Sequence, residues 1–221
     1  MLFRSMVSTY DIAFRTKYLS DEMQPPLLAE AVNAVAKRGR GKDFLKEILP
    51  GVIRFYEWCH AVRSPYNDGL IRVIQPDETG LDHSPKWDEL MNIRDEEHIS
   101  FERGWKLICD EYLPFNRDPK KMIETDYFVV ADVMVNVIYI ENLRVLAQLC
   151  ASIGDGEGEK RYAERATIAR RSLEELCWDE SDGLYYDVNG KSNTKIRVNT
   201  FTSLIDRKST RLNSSHMSES R

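Results

Sequence analysis

The segment ETGLDHSPKWDE, residues 78–89, concentrates groups that could do acid–base chemistry in one short connection between predicted helices. It carries four carboxylates, a tryptophan and a Ser-Pro pair. A charge-rich connection is usually just a solvated loop. Asp82 differs, because Gly80 before it permits an unusual backbone conformation and Pro85 after it stiffens the exit. These neighbours would hold the Asp82 carboxyl in one place, where it could donate a proton to a bound molecule.

Paired carboxylates beside an aromatic ring are typical of sites that cleave glycosidic bonds. One carboxyl, kept protonated, gives its proton to the leaving oxygen, and another activates water or attacks the sugar directly. Glu78 is a carboxylate close to Asp82 in the sequence. The ring of Trp87 could stack against a sugar, although at the third position of a helix the pattern alone favours a core tryptophan.

A second pair of polar residues interrupts the apolar segment 127–140. Asp132 and Asn136 are four residues apart, which on a helix places them on one face and one turn along. A carboxylate and an amide on a buried helix must find partners or they destabilise the fold. Two interpretations stay open: a buried hydrogen bond to a neighbouring helix, or a polar cavity in which both side chains bind hydroxyl groups.

Gln24 stands directly before Pro25-Pro26, a pair that predicts the start of a helix. The N–H groups in the first turn of a helix have no partner within it, so they can face a ligand together with a neighbouring glutamine. Pro-Pro, however, also starts many helices that bind nothing.

Helices supply most of the elements that would position these groups. In chain order, apolar spacing and capping residues predict helices over 26–39, over 43–63 with a bend at Pro50, from Pro85, from Pro119, through 127–152 as a buried inner helix, and over 158–178. Short extended pieces follow Trp178. The predicted class is all-α, and the lack of a fixed repeat period argues against a helical-repeat scaffold.

Charge and cysteine content exclude several classes of protein. The 221-residue chain has a net charge of −5, and residues 207–221 form a basic end, so the body is more acidic still. Nucleic acid requires a basic surface, and none is expected as a partner. The four cysteines lack a zinc-ligand spacing, so no metal or other cofactor is predicted. The most apolar stretch is too short and too interrupted to span a membrane.

Taken together, five motifs resemble glycoside hydrolases of family 63. The nearest branch is the bacterial group similar to mannosylglycerate hydrolase, and trehalases are more distant relatives with comparable motifs. The resemblance covers roughly residues 22–205. The motifs are Q-P-P-L-L at 24–28, T-G-L-D-H-S-P-K-W-D at 79–88, D-V-M-V-N at 132–136, W-D-E-S-D-G-L-Y-Y-D at 178–187 and V-N-T-F-T-S-L at 198–204.

The resemblance implies an (α/α)6 toroid with a sugar pocket at one end and an inverting mechanism. Asp82 matches the aspartate that acts as general acid in this family. The family's general base is a glutamate in the C-terminal part of the barrel, and no residue here matches its motif. Residue by residue, the resemblance assigns substrate binding to Gln24, Glu78, Trp87, Asp132 and Asn136. The implied substrate is a small saccharide with an α-linked glucose or mannose, cleaved from its end.

The resemblance also sets the expected boundaries. Residues 1–205 are expected to be one catalytic domain truncated at both ends, and residues 206–221 a non-native or adapter-derived tail. We expect little or no turnover by this chain alone and, from its cysteines, a cytoplasmic location. The alternative is a non-catalytic helical module that binds a carbohydrate or a protein. The sequence leaves the oligomeric state open.

Overall fold

The computed structural model describes residues 23–93, 106, 108, 110–115 and 118–204, and every structural statement below concerns these residues. This part of the chain is mostly helical with a few two-residue strands, so the all-α prediction is confirmed at that level. The α-helices are α1 (Leu28–Val35), α2 (Gly41–Arg63), α3 (Pro119–Glu124), α4 (Val133–Ile153) and α5 (Gly156–Cys177). The 3-10 turns are Pro76–Thr79, Pro85–Trp87, Leu113–Phe115 and Phe201–Leu204. The predicted tail lies outside the described residues.

The N-terminal helices follow the predicted pattern closely. Helix α1 widens at its end into a turn over Ala36–Arg40, where Gly39 has a positive φ of 112°. Glycine adopts this left-handed region without the steric cost other residues meet. Helix α2 then runs on through Pro50, so the proline does not end it.

Ser84-Pro85 begins a shorter element than predicted. Pro85 starts a single 3-10 turn, and Ser84 has the extended backbone of an N-cap but makes no capping hydrogen bond with its side chain. By contrast, Asp118 caps α3 as predicted, accepting a hydrogen bond from the Lys120 backbone N–H at 3.1 Å. The two helix starts differ in their capping bond. The Asp118 side-chain oxygen accepts a backbone N–H of the first turn that has no partner within the helix, whereas the Ser84 side chain accepts none.

The predicted helix through 127–140 is wrong in its first part. Val130–Ala131 forms strand β1, and helix α4 begins only after Asp132. The Asp132 carboxylate accepts a hydrogen bond from the Val135 N–H at 2.7 Å, so it is the N-cap of α4. The aromatic and β-branched residues before it suit an extended backbone, and pairing of Val130 with Val73 and Asn189 holds them in that conformation.

Helix α4 is the central element of the fold. It packs on α1 and α2 and lies most extensively against α5. Gly154, with a φ of 89°, ends α4, and Asp155 caps α5 directly afterwards, so the two long helices form an antiparallel hairpin. The expectation that the most apolar stretch is too short and too interrupted to cross a membrane is corrected for α4, which passes by length and composition. Most of α4 is buried against the rest of the protein, as in a core helix.

Two small antiparallel sheets follow α5. Strands β2 (Trp178–Asp179) and β3 (Leu184–Tyr185) form a hairpin in which Trp178 pairs with Tyr185. Strand β4 (Val188–Asn189) lies between β1 and β5 (Thr194–Lys195), with Val188 paired to both Ala131 and Lys195. The order brings residues 186–187 back beside the N-terminus of α4.

A buried extended segment, residues 70–74, connects α2 to the turn that carries Asp82. Val73 exchanges two backbone hydrogen bonds with Val130, at 2.8 and 2.9 Å, which joins the segment to β1. Gly69 precedes it with a φ of 79°, and a Cβ there would lie 3.0 Å from Ile168 Cγ2 on α5. The positive φ and the close approach to α5 together favour a glycine at this position.

Candidate active site

The candidate general acid lies on a short turn between two 3-10 turns. Gly80 has a φ of 71°, which reverses the chain after Pro76–Thr79. The Thr79 hydroxyl accepts a hydrogen bond from the Leu81 N–H at 3.0 Å. Asp82 follows, half-buried, and within the part of the chain that the structure describes no hydrogen bond or ion pair reaches its carboxylate. The carboxylate is thus the group on this turn left available for a ligand.

The buried side chain of Trp87 packs against this turn and stabilises it. The indole is fully buried, and its Nε1–H donates to the Leu81 carbonyl at 2.9 Å. The ring packs at a tilt on Phe128, 5.4 Å between centroids. Of the two interpretations of Trp87, this geometry favours the core tryptophan, and stacking on a sugar stays a prediction.

Glu78 anchors the entrance of the turn and not its exposed face. Its carboxylate forms a fully buried, two-point ion pair with Arg63, at 2.5 and 3.1 Å. It also accepts hydrogen bonds from the backbone N–H groups of Met23, at 2.7 Å, and Ile74, at 2.8 Å. Complete burial raises the pKa of the Glu78 carboxyl, and the Arg63 guanidinium opposes that shift.

These contacts give Glu78 a positioning role, because both of its oxygens are occupied by protein donors. The prediction that Glu78 binds substrate directly is not supported by this arrangement and stays untested. The bond to Met23 has a further effect. It fixes the residue next to Gln24, whose own side chain is exposed, so the Q-P-P motif and the turn that carries Asp82 are joined through Glu78.

A buried ion cluster, formed by Lys86, Asp132 and Asp187, anchors the exit of the turn. The Lys86 ammonium contacts Asp132 Oδ2 and lies 2.8 Å from Asp187 Oδ2. The three side chains are at most 4% exposed. The remaining oxygen of Asp187 accepts a hydrogen bond from the Val133 N–H at 2.7 Å, beside the Asp132 cap. Both carboxylates therefore lie at the positive end of the α4 dipole.

Burial and charge act in opposite directions on the cluster. Burial by itself would lower the pKa of Lys86, but the charges of Asp132 and Asp187 outweigh it and raise that pKa. Burial, together with the nearby charge of Asp132, raises the pKa of Asp187 to about 6. Asp187 is therefore a carboxyl of this cluster that takes up a proton at a higher pH than an exposed aspartate does.

Asn136 holds the extended segment against α4. Its side-chain oxygen accepts the Ile71 N–H at 2.9 Å, and its Nδ2 donates to the Ile71 carbonyl at 3.0 Å and to the Asp132 carbonyl at 2.9 Å. The Asn136 amide thus satisfies the backbone N–H and carbonyl of Ile71, as a neighbouring strand would do in a sheet. Of the two interpretations of Asp132 and Asn136, buried hydrogen bonding agrees with these contacts, and sugar binding by either residue stays a prediction.

The predicted site residues thus divide into two groups. Gln24 and Asp82 have exposed surface, whereas Glu78, Trp87, Asp132 and Asn136 are buried and hold the backbone around them. What the arrangement can do chemically follows from this division. It can present one carboxyl at a fixed place, and fixed geometry is what proton donation to a leaving group requires.

Sequence reasoning missed three anchoring residues, namely Arg63, Lys86 and Asp187. A signal existed for two of them. Lys86 lies inside the S-P-K-W-D motif and Asp187 closes the Y-Y-D motif, yet neither was assigned a role. Arg63 gave no signal, since an arginine near the C-terminus of a helix is ordinary dipole compensation.

The described residues offer no cluster of three or more histidine, cysteine or acidic side chains that could hold a metal ion. Cys59, Cys150 and Cys177 are free thiols in buried positions, and burial raises the pKa of Cys59 to about 12. Cys109 lies outside the described residues.

Comparison with known proteins places the chain among the glycoside hydrolases. Residues 4–206 match the family described as the mannosylglycerate hydrolase MGH1-like glycoside hydrolase domain, and the chain belongs to that family. The predicted resemblance to the mannosylglycerate hydrolase and trehalase group is thereby confirmed.

Two curated relatives illustrate the range of the family. Mannosylglycerate hydrolase from Thermus thermophilus is 27% identical over 201 residues, which cover 80% of this chain and 48% of the relative. Trehalase from Arabidopsis thaliana is 23% identical over 207 residues, which cover 83% of this chain and 32% of the relative. The chain spans about half the length, or less, of the curated relatives that it matches.

Solved structures show the same fold. The GH63 mannosylglycerate hydrolase from Thermus thermophilus in complex with Tris and D-glycerate superposes with a TM-score of 0.75 at 22% identity, covering 86% of this chain and 51% of that one. The same enzyme in complex with glucose gives a TM-score of 0.73 at 25% identity, covering 86% and 48%.

Proposed function

We propose that the chain carries the general acid of an inverting, exo-acting glycoside hydrolase built on an (α/α)6 toroid. Asp82 is the proposed acid. The observation that carries this proposal is the turn itself. Its entrance is fixed by the buried Glu78–Arg63 pair and its exit by the buried ion cluster, while the Asp82 carboxylate between them accepts no protein donor among the described residues.

The proposed reaction needs two carboxyl groups with different tasks. Asp82, protonated in the complex with substrate, gives its proton to the glycosidic oxygen as the bond to the anomeric carbon breaks. A carboxylate about 6.5–9.5 Å away takes a proton from water, which attacks the opposite face of the sugar and inverts its configuration. In the family this base is a glutamate of the C-terminal barrel, whose motif no residue here matches.

The proposed substrate is a small saccharide or glycoside that contains an α-linked mannose or glucose. Support comes from the family, whose relatives include a mannosylglycerate hydrolase and trehalases, and from the solved relative in complex with glucose. We also propose that Gln24 contacts the sugar, because its side chain is exposed while the adjacent backbone is tied to the turn that carries Asp82.

We keep a cytoplasmic location as a proposal. The free thiols of Cys59, Cys150 and Cys177 support it, since widely spaced, unpaired cysteines are usual in a reducing compartment. Fractionation of the source cells with an antibody to the protein would test this location. Recovery from a culture supernatant would refute it.

The test of the proposed function compares Asp82→Asn with a control, Glu89→Gln, which changes an exposed carboxylate nearby. Turnover of mannosylglycerate, trehalose and aryl α-mannosides is measured in the wild-type protein and in both variants. We expect Asp82→Asn to lower kcat by about 10²–10⁴-fold with substrate binding kept, and Glu89→Gln to leave kcat unchanged.

Two outcomes would contradict the proposal. If Asp82→Asn turns over substrate as well as the wild-type protein, Asp82 is not the acid. If the wild-type protein binds these sugars without cleaving any of them, the non-catalytic binding module becomes the better description. Retention of the anomeric configuration, read by proton NMR of the first product, would refute the inverting mechanism alone.

A further inference from the structure

Asp187 lies far from Asp82 in sequence but is linked to it through a short series of buried contacts. We propose that Asp187 is a positioning residue that acts through Lys86 to hold the Asp82 carboxyl in place. The catalytic meaning of this positioning rests on the proposed function. The physical claim, that Asp187 orders the turn, does not.

The first link is the contact between Asp187 and Lys86. Asp187 Oδ2 lies 2.8 Å from the Lys86 ammonium, and the two side chains are 4% and 2% exposed. Water cannot readily replace a partner at such a depth, so loss of the carboxylate charge weakens the hold on Lys86 directly. The other oxygen of Asp187 is used by the Val133 N–H, which fixes the carboxylate on the start of α4.

The second link runs from Lys86 to the turn. Lys86 is the middle residue of the 3-10 turn Pro85–Trp87, so its position sets that of Trp87. The Trp87 backbone N–H donates to the Ser84 carbonyl at 3.1 Å, and its indole N–H donates to the Leu81 carbonyl at 2.9 Å. The Leu81 carbonyl also accepts the Ser84 N–H at 3.0 Å. Asp82 lies between Leu81 and Ser84, which these hydrogen bonds connect to each other and to Trp87.

Asp187 is a better probe of the connection than Asp132. Asp132 also caps α4 through the Val135 N–H, so its replacement would disturb the helix directly. In Asp187→Asn the amide oxygen can still accept the Val133 N–H, while the negative charge beside Lys86 is lost. The substitution is therefore selective for the Lys86 contact.

A matched control lies in strand β2. Asp179 is also largely buried and pairs with Lys195 at 3.1 Å and Arg197 at 2.6 Å, contacts that involve no residue of the Asp82 turn. Asp179→Asn removes the same charge from a buried position without touching Lys86. Any effect of lost charge or lowered stability in general should appear in both variants.

The experiment measures amide hydrogen exchange by NMR in wild type, Asp187→Asn and Asp179→Asn, with the unfolding midpoint of each. In Asp187→Asn we expect the amides of Ser84 and Trp87 to exchange about tenfold faster or more, the loss expected for a charge-assisted hydrogen bond. Asp179→Asn should leave them unchanged. If Asp187→Asn alters exchange only at Val133 and Val135, Asp187 merely supports α4 and the proposal fails.

A second variant covers the case in which Asp187→Asn does not fold. Trp87→Phe keeps the ring in the core but removes the indole N–H that holds the Leu81 carbonyl. We expect faster exchange at Ser84 with Val133 unchanged. Unchanged exchange at Ser84 would overturn the proposal, since no effect would then pass from the 3-10 turn to the residues around Asp82.

Turnover separates this proposal from the proposed function. In an active protein, displacement of the acid by about 1 Å should lower kcat by about a hundredfold while KM changes little. If exchange at the turn rises but no sugar is cleaved even by wild type, the positioning claim stands and the proposed function falls. If wild type is active and Asp187→Asn changes neither exchange nor kcat, the positioning claim falls.

Discussion

Replacement of Lys86 by methionine would test how much the buried ion cluster contributes to stability. It removes the ammonium group that lies between Asp132 and Asp187, while a methionine of similar length keeps most of the buried volume. The two carboxylates would then face each other in a buried region. Each still keeps a backbone donor, from Val135 and Val133 respectively, at 2.7 Å in both cases.

The expected cost follows from the charge left behind. Removal of one partner of a buried ion pair typically costs about 3–5 kcal/mol, because the other charge stays buried without compensation. Here two carboxylates lose their cation, but the helix terminus and its N–H groups compensate in part. We expect the free energy of unfolding to fall by about 4 kcal/mol at neutral pH. This is a large share of the total free energy of unfolding of an ordinary domain, which is about 5–15 kcal/mol.

Acidification should reduce this cost. Two adjacent carboxylates without a cation cannot both stay charged cheaply, so one takes up a proton as the pH falls, and Asp187, whose pKa already lies at about 6, is the expected site. The assay is urea unfolding followed by circular dichroism near pH 7.5 and near pH 5. The difference in unfolding free energy between wild type and Lys86→Met should be smaller at the lower pH.

Lys106→Met is the matched control, since Lys106 pairs with Asp110 at the surface, with side chains 71% and 55% exposed. We expect it to cost less than about 0.5 kcal/mol. A cost below about 1 kcal/mol for Lys86→Met, or one that does not shrink on acidification, would refute the reasoning about the buried ion cluster. The double variant Lys86→Met/Asp187→Asn should be more stable than Lys86→Met alone.

Three further substitutions probe the other anchors by urea unfolding. Because the pKa of Asp187 is raised to about 6, the folded wild type takes up a proton that the unfolded chain does not, so its stability relative to Asp187→Asn should rise as the pH falls from about 7.5 toward 4; a difference independent of pH would contradict this. Glu78→Gln leaves Arg63 buried without its carboxylate and should cost about 3–5 kcal/mol, against almost nothing for Glu89→Gln. Asn136→Ala leaves the N–H and the carbonyl of Ile71 without their hydrogen-bond partner, and the free energy of unfolding should fall by about 1–3 kcal/mol for each group. A total loss below that range would mean that water replaces the amide.

Local signals in the sequence predicted much of the fold. Asp118-Pro119 and Gly154 mark a helix start and a helix end because capping depends on side chains and φ values within a few residues. The segment 127–131 shows the limit of such signals. Its strand propensity and its helical spacing of polar residues conflicted, and pairing of Val130 with a distant Val73 and Asn189 decided the outcome.

The candidate site was harder to predict, because its contacts are long-range. Motif spacing could single out Asp82 as a fixed carboxyl, but the bond between Lys86 and Asp132 joins residues 46 apart, and that between Glu78 and Met23 joins residues 55 apart. No periodicity reports such pairs. The motifs therefore did not show that most of their polar residues face inward.

The extended segment 70–74 also bears on the order in which the protein folds. Its five backbone N–H groups find partners in five different places: Asn136 on α4, Arg63 at the end of α2, Val130 in β1 and the carboxylates of Asp68 and Glu78. The first of these contacts spans 65 residues, and closing so long a loop is entropically costly before other contacts exist.

The α4–α5 hairpin, by contrast, is stabilised mainly by contacts between neighbours in sequence. We therefore expect the segment, and with it the turn that carries Asp82, to lock into place late, after α2, β1 and α4 have come together. Pulse-labelled hydrogen exchange during refolding would show this as protection at Ile71 and Val73 that lags behind protection in α5. Simultaneous protection would instead make the turn part of the folding nucleus.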